Sequence, residues 1–287
     1  MEQNEKNKVE ASTLYLVGTP IGNLADMSER AKKVLSEVDF IAAEDTRNSL
    51  KLLSCYGIHK ELVSYFEHNK AGSGERIVAR LLGGESCALI TDAGMPAISD
   101  PGEDIVKKCA EAGIRVSVVP GCCAAVSALA LSALATSKFC FEGFLSAKAS
   151  ERRARLEELK HDERTTIFYE APHKLRATLL DMRDILGGER KIALCRELTK
   201  LNEEILRFCL SDAVKHYENT EPRGEYVLVV EGGDGKAVGE NPLLSLSPEE
   251  HVAHYEAVGM KRMDAIKAAA KDRGVSKSSL YQELIGR

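Results

Sequence analysis

Two loops rich in glycine and proline carry the most chemical information in this chain. One is Val17-Gly18-Thr19-Pro20-Ile21-Gly22-Asn23-Leu24; the other is Thr91-Asp92-Ala93-Gly94-Met95-Pro96-Ala97-Ile98-Ser99-Asp100-Pro101-Gly102. Each follows an apolar run, and in open α/β sheets small ligands bind beyond the carboxyl ends of the strands. Glycine lets backbone approach a ligand closely, and proline fixes the course of a loop. On neighbouring strands, two such loops would build one small-molecule site with a preformed floor. The first is neither a G-x-G-x-x-G fingerprint nor a phosphate-binding loop ending in Gly-Lys-Ser/Thr. Neither loop contains a lysine or arginine.

Acids and bases gather in three further segments: Ala43-Glu44-Asp45-Thr46-Arg47, Phe168-Tyr169-Glu170-Ala171-Pro172-His173-Lys174 and Arg196-Glu197-Leu198-Thr199-Lys200. Glu44, Asp45, Glu170, His173 and Glu197 are candidate proton acceptors. Asp45 or Glu170 could equally hydrogen-bond loop backbone. Arg47 and Arg196 could hold a phosphate or simply pair with the acids beside them.

The elements that must position these residues alternate. Apolar runs at 13–17, 40–43, 61–65, 86–91 and 115–119 read as strands, separated by helical patterns at about 28–38, 50–56, 75–82 and 104–112. Asp26 with Glu29 suits a capping pair for the first helix, with Ser28 the other candidate; Gly57 and Gly113 are helix stops. Such alternation implies a largely parallel sheet. After an alanine-rich helix at 124–135 the rhythm changes. Strands at 141–145, 165–169, 191–195, 204–210 and 225–230, with a charged helix at 150–160, suggest a second α/β domain with a mixed sheet. The expected division is a disordered lead over 1–12, α/β domains over 13–121 and 122–232, a linker over 233–247 and a helical tail over 248–287. In the tail, a helix at 261–273, the turn Gly274-Val275-Ser276 and a further helix outline a helix-turn-helix or a plain three-helix module.

The chain has 287 residues, a formal net charge of −5 and a hydrophobic fraction of 44%. That length suits two domains with an appendage, and that charge argues against non-specific nucleic-acid binding by the whole surface. No apolar run approaches membrane-spanning length, and the first ten residues lack a signal-peptide core. The eight cysteines form no C-x-x-C pair and read as reduced thiols, mostly buried, rather than disulfides or zinc ligands. His251 and His254 beside Glu250 read as a surface pair rather than a metal site.

The two loops, the three charged segments and Arg223-Gly224-Glu225 together resemble the ribosomal RNA small-subunit methyltransferase I family, of the tetrapyrrole methylase superfamily. The resemblance runs from about residue 13 to 232 and more weakly into the tail. It implies two α/β domains of tetrapyrrole-methylase type with a cofactor cleft between them. It also implies transfer of methyl from S-adenosylmethionine to the ribose 2′-oxygen of a cytidine in the decoding region of small-subunit (16S) ribosomal RNA. The same resemblance places Pro20, Asp92, Ala93, Gly94, Met95, Ile98, Ser99, Pro120, Cys123, Tyr169 and Ala171 at the cofactor. Asp45, Glu170 and Glu197 become candidate catalytic acids, with Arg47 and Arg196 positioning substrate. A cationic sulfonium suits loops of backbone carbonyls and glycine better than a cluster of lysines. Lys148, Arg152, Arg153, Arg155, Lys174, Arg176 and Lys200 are the candidate RNA contacts, although a solvated helix with intrahelical pairs to Glu151, Glu157 and Glu158 would look the same.

The sequence departs from the family pattern at Pro120-Gly121-Cys122-Cys123, where Pro-Gly-Pro-Ser is common, and at Ser146, where proline is usual after Gly-Phe-Leu. The first departure bears on the shape of one cofactor loop. The resemblance further implies a cytoplasmic homodimer, with small-subunit RNA or the assembled subunit as partner and no membrane or metal. Two alternatives stand beside it: a tetrapyrrole methyltransferase, and a non-catalytic RNA-binding protein of ribosome assembly.

Overall fold

The computed structural model describes residues 8–235 and 242–285. The chain divides into two compact units, one comprising residues 1–157 and 164–231 and the other 158–163 and 232–287.

The larger unit contains two five-stranded sheets. In the first, β1 (Thr13–Val17), β2 (Phe40–Ala43), β3 (Glu61–Ser64), β4 (Cys87–Ile90) and β5 (Arg115–Val119) are all parallel, in the order β3-β2-β4-β1-β5. Helices α1 (Glu29–Glu37) and α2 (Thr46–Cys55) bring Ala31, Val34, Leu35 and Leu53 to one face, against Val17, Ile41, Ala43 and Ile90. Helices α3 (Lys70–Leu82) and α4 (Gly102–Glu111) bring Ile77, Leu81, Ile105 and Cys109 to the other, against Leu14, Phe40, Ala42 and Leu89. Covered on both faces, β2 and β4 are buried at every position, which is why they read as unbroken apolar runs rather than alternating ones. Ser28, not the Asp26–Glu29 pair, caps α1, its Oγ accepting from the Ala31 N–H at 3.1 Å. Gly57 follows α2 at φ +67°.

Residues 8–12, expected to be a disordered lead, lie against this sheet: Val9 packs on its core, and the Glu10 N–H donates to the Tyr15 hydroxyl at 2.8 Å. Residues 1–7 of that lead fall outside the described residues, as do 236–241 of the expected linker.

The second sheet holds β6 (Phe139–Phe144), β7 (Thr165–Glu170), β8 (Lys191–Arg196), β9 (Glu204–Cys209) and β10 (Tyr226–Val230), in the order β6-β7-β10-β8-β9. It is mixed: β6 runs parallel to β7, and the remaining pairs are antiparallel. One face packs Ile167, Ala193, Val227 and Val229 against Ala125, Ala128 and Leu129 of α5 (Ala124–Leu131). Helices α6 (Ala149–Leu159), α7 (Pro172–Leu186) and α8 (Leu210–Asn219) complete the unit's second half, with α7 and α8 packed together.

In the smaller unit α9 (Pro248–Ala257), α10 (Arg262–Asp272) and α11 (Lys277–Ile285) enclose Val252, Ala265, Ile266, Ala269 and Leu280. Ser247 and Glu250 form a reciprocal capping box at α9. His251 is not a surface residue. It is fully buried, its Nδ1 accepting from Arg273 Nε at 3.1 Å and its Nε2 lying 3.2 Å from Asp272. Among the described residues no helix is long and apolar enough to cross a membrane, and no cluster of metal-ligating side chains occurs.

Candidate active site

A cleft of about 1030 Å³ lies within the larger unit, bounded by segments that follow the carboxyl ends of β1 to β5 and by the ends of β6, β7, β8 and β10. The two glycine- and proline-rich loops are joined at its floor. Thr19 and Gly94 exchange backbone hydrogen bonds of 2.9 and 3.1 Å, and Thr19 Oγ1 donates to the Thr91 carbonyl at 3.2 Å. Gly94 adopts φ +86°, and a side chain there would meet the Cys122 carbonyl at 3.3 Å. The loop after β5 is pressed equally close, since a Cβ on Gly121 would fall 2.8 Å from Gly18 backbone. Asp100 ties the second loop on itself, accepting from the Ala97 and Gly102 N–H groups at 2.9 and 2.7 Å. Within that loop Ala97 and Ser99 are held at φ +67° and +62°, strain of a kind that persists where surrounding structure imposes it.

Of the residues that the resemblance placed at the cofactor, Asp92, Ala93, Gly94, Met95, Ile98, Ser99, Cys123, Tyr169 and Ala171 line the cleft, whereas Pro20 and Pro120 do not. Pro20 lies within the first of the joined loops, next to Thr19, and Pro120 directly follows β5. Cys123 lines the wall, so the departure from the family pattern brings a thiol to the cleft. Of the eight cysteines, Cys87, Cys109 and Cys195 are buried and Cys55 is exposed. Burial holds the Cys109 and Cys195 thiols up at about 11.

The candidate acids divide. Glu44, Glu170 and Glu197 line the cleft; Asp45 and His173 do not. Glu44 accepts from Thr91 Oγ1 at 2.8 Å. Glu170 is almost fully buried with both oxygens engaged, one by Thr178 Oγ1 at 2.5 Å and the other by the Ala171 N–H and Lys174 Nζ at 2.8 and 3.0 Å. Asp45 caps α2 through the Arg47 N–H, and hydrogen bonds from the Arg47 side chain hold its carboxyl down at about 2. Glu197, at φ +51°, accepts from Lys200 Nζ at 2.9 Å and the Glu225 N–H at 3.0 Å, and the Lys200 bond leads in holding its carboxyl below the usual glutamate range. Arg196 pairs with Glu204 at 3.1 Å outside the cleft, and Arg47 is exposed beside Asp45.

The candidate RNA contacts also make ion pairs and hydrogen bonds within the chain. Arg152 is buried, its Nη2 2.6 Å from Asp181 of α7. Arg153 reaches the same carboxylate from its other side at 2.5 Å. Arg155 grips Glu142 at 2.8 and 2.9 Å, and Arg176 donates to the Tyr217 carbonyl at the end of α8. Lys174 pairs with Glu170; Lys148, largely exposed, pairs with Glu151. Lys200 lies in the cleft lining between Glu197 and Glu225.

The lining as a whole is acidic: Glu44, Glu67, Asp92, Asp100, Glu103, Glu170, Glu197 and Glu225 surround one lysine, Lys200. Carboxylates, backbone carbonyls and a glycine floor suit a cationic ligand such as S-adenosylmethionine, and would disfavour a di- or triphosphate. Sequence reasoning missed Glu67, Glu103, Glu225 and Phe144 as lining residues. Glu225 and Phe144 stood in quoted motifs; Glu67 and Glu103 carry no local signal.

Two α/β halves around an acidic, glycine-floored cleft define a methylase of the tetrapyrrole type. The model of the family described as Tetrapyrrole (Corrin/Porphyrin) Methylases matches residues 13–214. Uroporphyrin-III-C-methyltransferase from Thermus thermophilus superposes with a TM-score of 0.55 at 20% identity, covering 80% of this chain and 98% of that one. Cobalt precorrin-4 methyltransferase superposes at 0.53 with 16% identity, covering 76% and 94%; at such identity the likeness is one of fold. Closer in sequence are proteins named Ribosomal RNA small subunit methyltransferase I. That of Halalkalibacterium halodurans is 48% identical, covering 98% of this chain and 97% of its own length. That of Bacillus subtilis is 47% identical, covering 96% and 94%. The chain belongs to the ribosomal RNA small subunit methyltransferase I family.

Proposed function

We propose that this chain transfers the methyl group of S-adenosylmethionine to the ribose 2′-oxygen of a cytidine in the decoding region of small-subunit ribosomal RNA. The observation that carries the reading is the near-full-length likeness to relatives named for small-subunit rRNA methylation. The acidic cleft supports it physically. A tetrapyrrole substrate and a non-catalytic assembly role are not favoured by that likeness.

When bound, S-adenosylmethionine supplies an electrophilic methyl carbon on a sulfonium, open to in-line displacement without a metal. The chain's own part is to hold, orient and shield. The Thr19–Gly94 bridge fixes two loops as one floor, and Asp100 keeps the second from opening. Asp92 and Glu44, which line the cleft, would counter the positive charge of the sulfonium. Glu170 is engaged in holding the start of α7, and Asp45 in capping α2, so neither is the general base in this reading. Glu197, kept ionised by Lys200, orients that lysine towards incoming substrate. Alignment of the acceptor oxygen is then the main catalytic contribution, of a kind worth roughly 7–11 kcal/mol in ideal intramolecular cases.

The reading extends to the working state: a cytoplasmic homodimer acting on the assembled small subunit or its RNA. The halves 13–121 and 122–232 share the cofactor cleft between them, and the tail 248–287 docks substrate behind the 233–247 segment. Mapping 2′-O-methylation on small-subunit RNA from cells with and without this protein tests the reading. An unchanged map refutes it.

A further inference from the structure

The outer strand β6 does not run regularly beside β7. Phe139, Cys140 and Phe141 pair with Thr165, Thr166 and Ile167, and then Gly143 and Phe144 pair with Phe168 and Tyr169, leaving Glu142 as an extra residue. Successive side chains in a strand point to opposite faces, so one inserted residue reverses the face of everything beyond it. Without the insertion Phe144 would lie on the face opposite Phe141. With it, Phe144 joins Phe141, Ile167 and Tyr169 on the face that opens into the cleft. The rings agree: Phe141 and Phe144 both meet Tyr169, at centroid distances of 4.9 and 5.6 Å. Gly143 makes the irregularity at φ +65°, and Arg155 secures Glu142 with its two hydrogen bonds.

This device delivers a ring that the core does not use. Phe144 is 59% exposed, although it lines the cleft and the next residue, Leu145, is buried. The Lys174 ammonium stands 5.4 Å from its centroid, fixed there by Glu170 and by the Leu145 carbonyl. Gly143 also touches the second loop, where a Cβ would lie 3.1 Å from Ser99 Oγ. Phe144 is therefore set beside the floor where the methyl donor is read to sit.

We propose that Phe144 is the stacking platform for the nucleobase of the acceptor nucleotide, a substrate-positioning residue; this rests on the rRNA methylation reading above. A 2′-oxygen can be brought into a recessed cleft only if its nucleotide leaves the RNA stack, and a protein ring then replaces the lost base stacking. The acidic lining repels phosphates, so a sugar and a base are the parts of the nucleotide this wall can receive. Stacking tolerates any base, so Phe144 orients the nucleotide without selecting cytosine.

The test uses the full-length protein, methyl-labelled S-adenosylmethionine and small ribosomal subunits from cells lacking the protein. Phe144→Ala and Phe144→Leu are expected to lower kcat/KM about 5- to 150-fold, the range for a lost base–aromatic stack. Phe144→Trp and Phe144→Tyr are expected to recover most of that loss, because leucine restores apolar bulk but not a π face. Calorimetry with S-adenosylmethionine alone is expected to give the same affinity for all variants, showing an intact cleft. Activity of Phe144→Leu equal to the unmodified protein, or of Phe144→Trp as poor as Phe144→Ala, overturns the proposal alone. No labelling by the unmodified protein overturns the functional reading and the proposal with it.

Discussion

Replacing Gly94 with valine tests whether the joined loops are the cofactor floor. Gly94 sits at φ +86°, and a Cβ there would meet the Cys122 carbonyl at 3.3 Å and Ile21 Cγ2 at 3.4 Å. A β-branched residue at positive φ costs about 1–3 kcal/mol. Relieving the strain means moving the loop, which breaks two hydrogen bonds to Thr19 worth about 1 kcal/mol each. A net penalty of about 2–3 kcal/mol follows. Where the free variant relaxes its loop and binding has to restore the floor, that penalty appears in the S-adenosylmethionine affinity, which falls by up to about 30- to 150-fold. Gly57→Val is the control: Gly57 has φ +67° with nothing within 4 Å of a Cβ, and it lies outside the cleft lining. That variant should lose about 2–4 °C in Tm per kcal/mol of strain and keep its affinity. Calorimetry and thermal melts on both variants separate binding from stability. If Gly94→Val binds as the unmodified protein does, within about twofold (under 0.5 kcal/mol), the floor assignment is wrong.

Arg152→Ala should destabilise the chain by about 3 kcal/mol, because Asp181 is left buried with Arg153 as its remaining cation; a loss below about 1 kcal/mol in urea denaturation would reject this structural role. The Lys200 hydrogen bond depresses the Glu197 carboxyl, so the pair's contribution is complete above the usual glutamate value of 4.5 and is lost as pH falls below it. The Tm gap between the unmodified protein and Glu197→Gln should therefore narrow below that pH, and a constant gap would contradict the pairing. Deleting 248–287 should leave cofactor affinity intact and weaken engagement of the small subunit by loss of local concentration; normal subunit binding with a lowered Tm would assign the tail to stability instead.

What the sequence made legible was whatever is encoded within a few residues. The parallel character of the first sheet, though not its strand order, followed from strand–helix alternation, and the two loops announced themselves by glycine and proline beyond apolar runs. The contacts that the sequence did not show share a cause. Arg152, Arg153 and Arg155 looked like a basic stripe because their partners Asp181 and Glu142 lie 29, 28 and 13 residues away, where no local pattern records them. His251 looked like a surface histidine because Asp272 and Arg273 come from another helix. Residues 8–12 looked like a polar lead because Glu10 finds Tyr15 and Arg115 only once the sheet exists.

The remaining features illegible in sequence are those that re-aim side chains already in view. Glu197 and Thr199 adopt left-handed backbone with no glycine to signal it, and so turn Glu197 and Lys200 to the cleft. The inserted Glu142 carries Phe144 from one face of the sheet to the other. Both lie on the second sheet, facing loops of the first whose chemistry the sequence states openly. The division has a physical basis. A small charged cofactor is held largely by backbone, and backbone that must come close requires glycine at fixed places, which a reader can find. A nucleotide on a large RNA is held by side chains whose directions depend on register and backbone sign, and a single extra residue is enough to reverse them. On the proposed reading, the cofactor half of this site is written in residue types, and the substrate half in geometry.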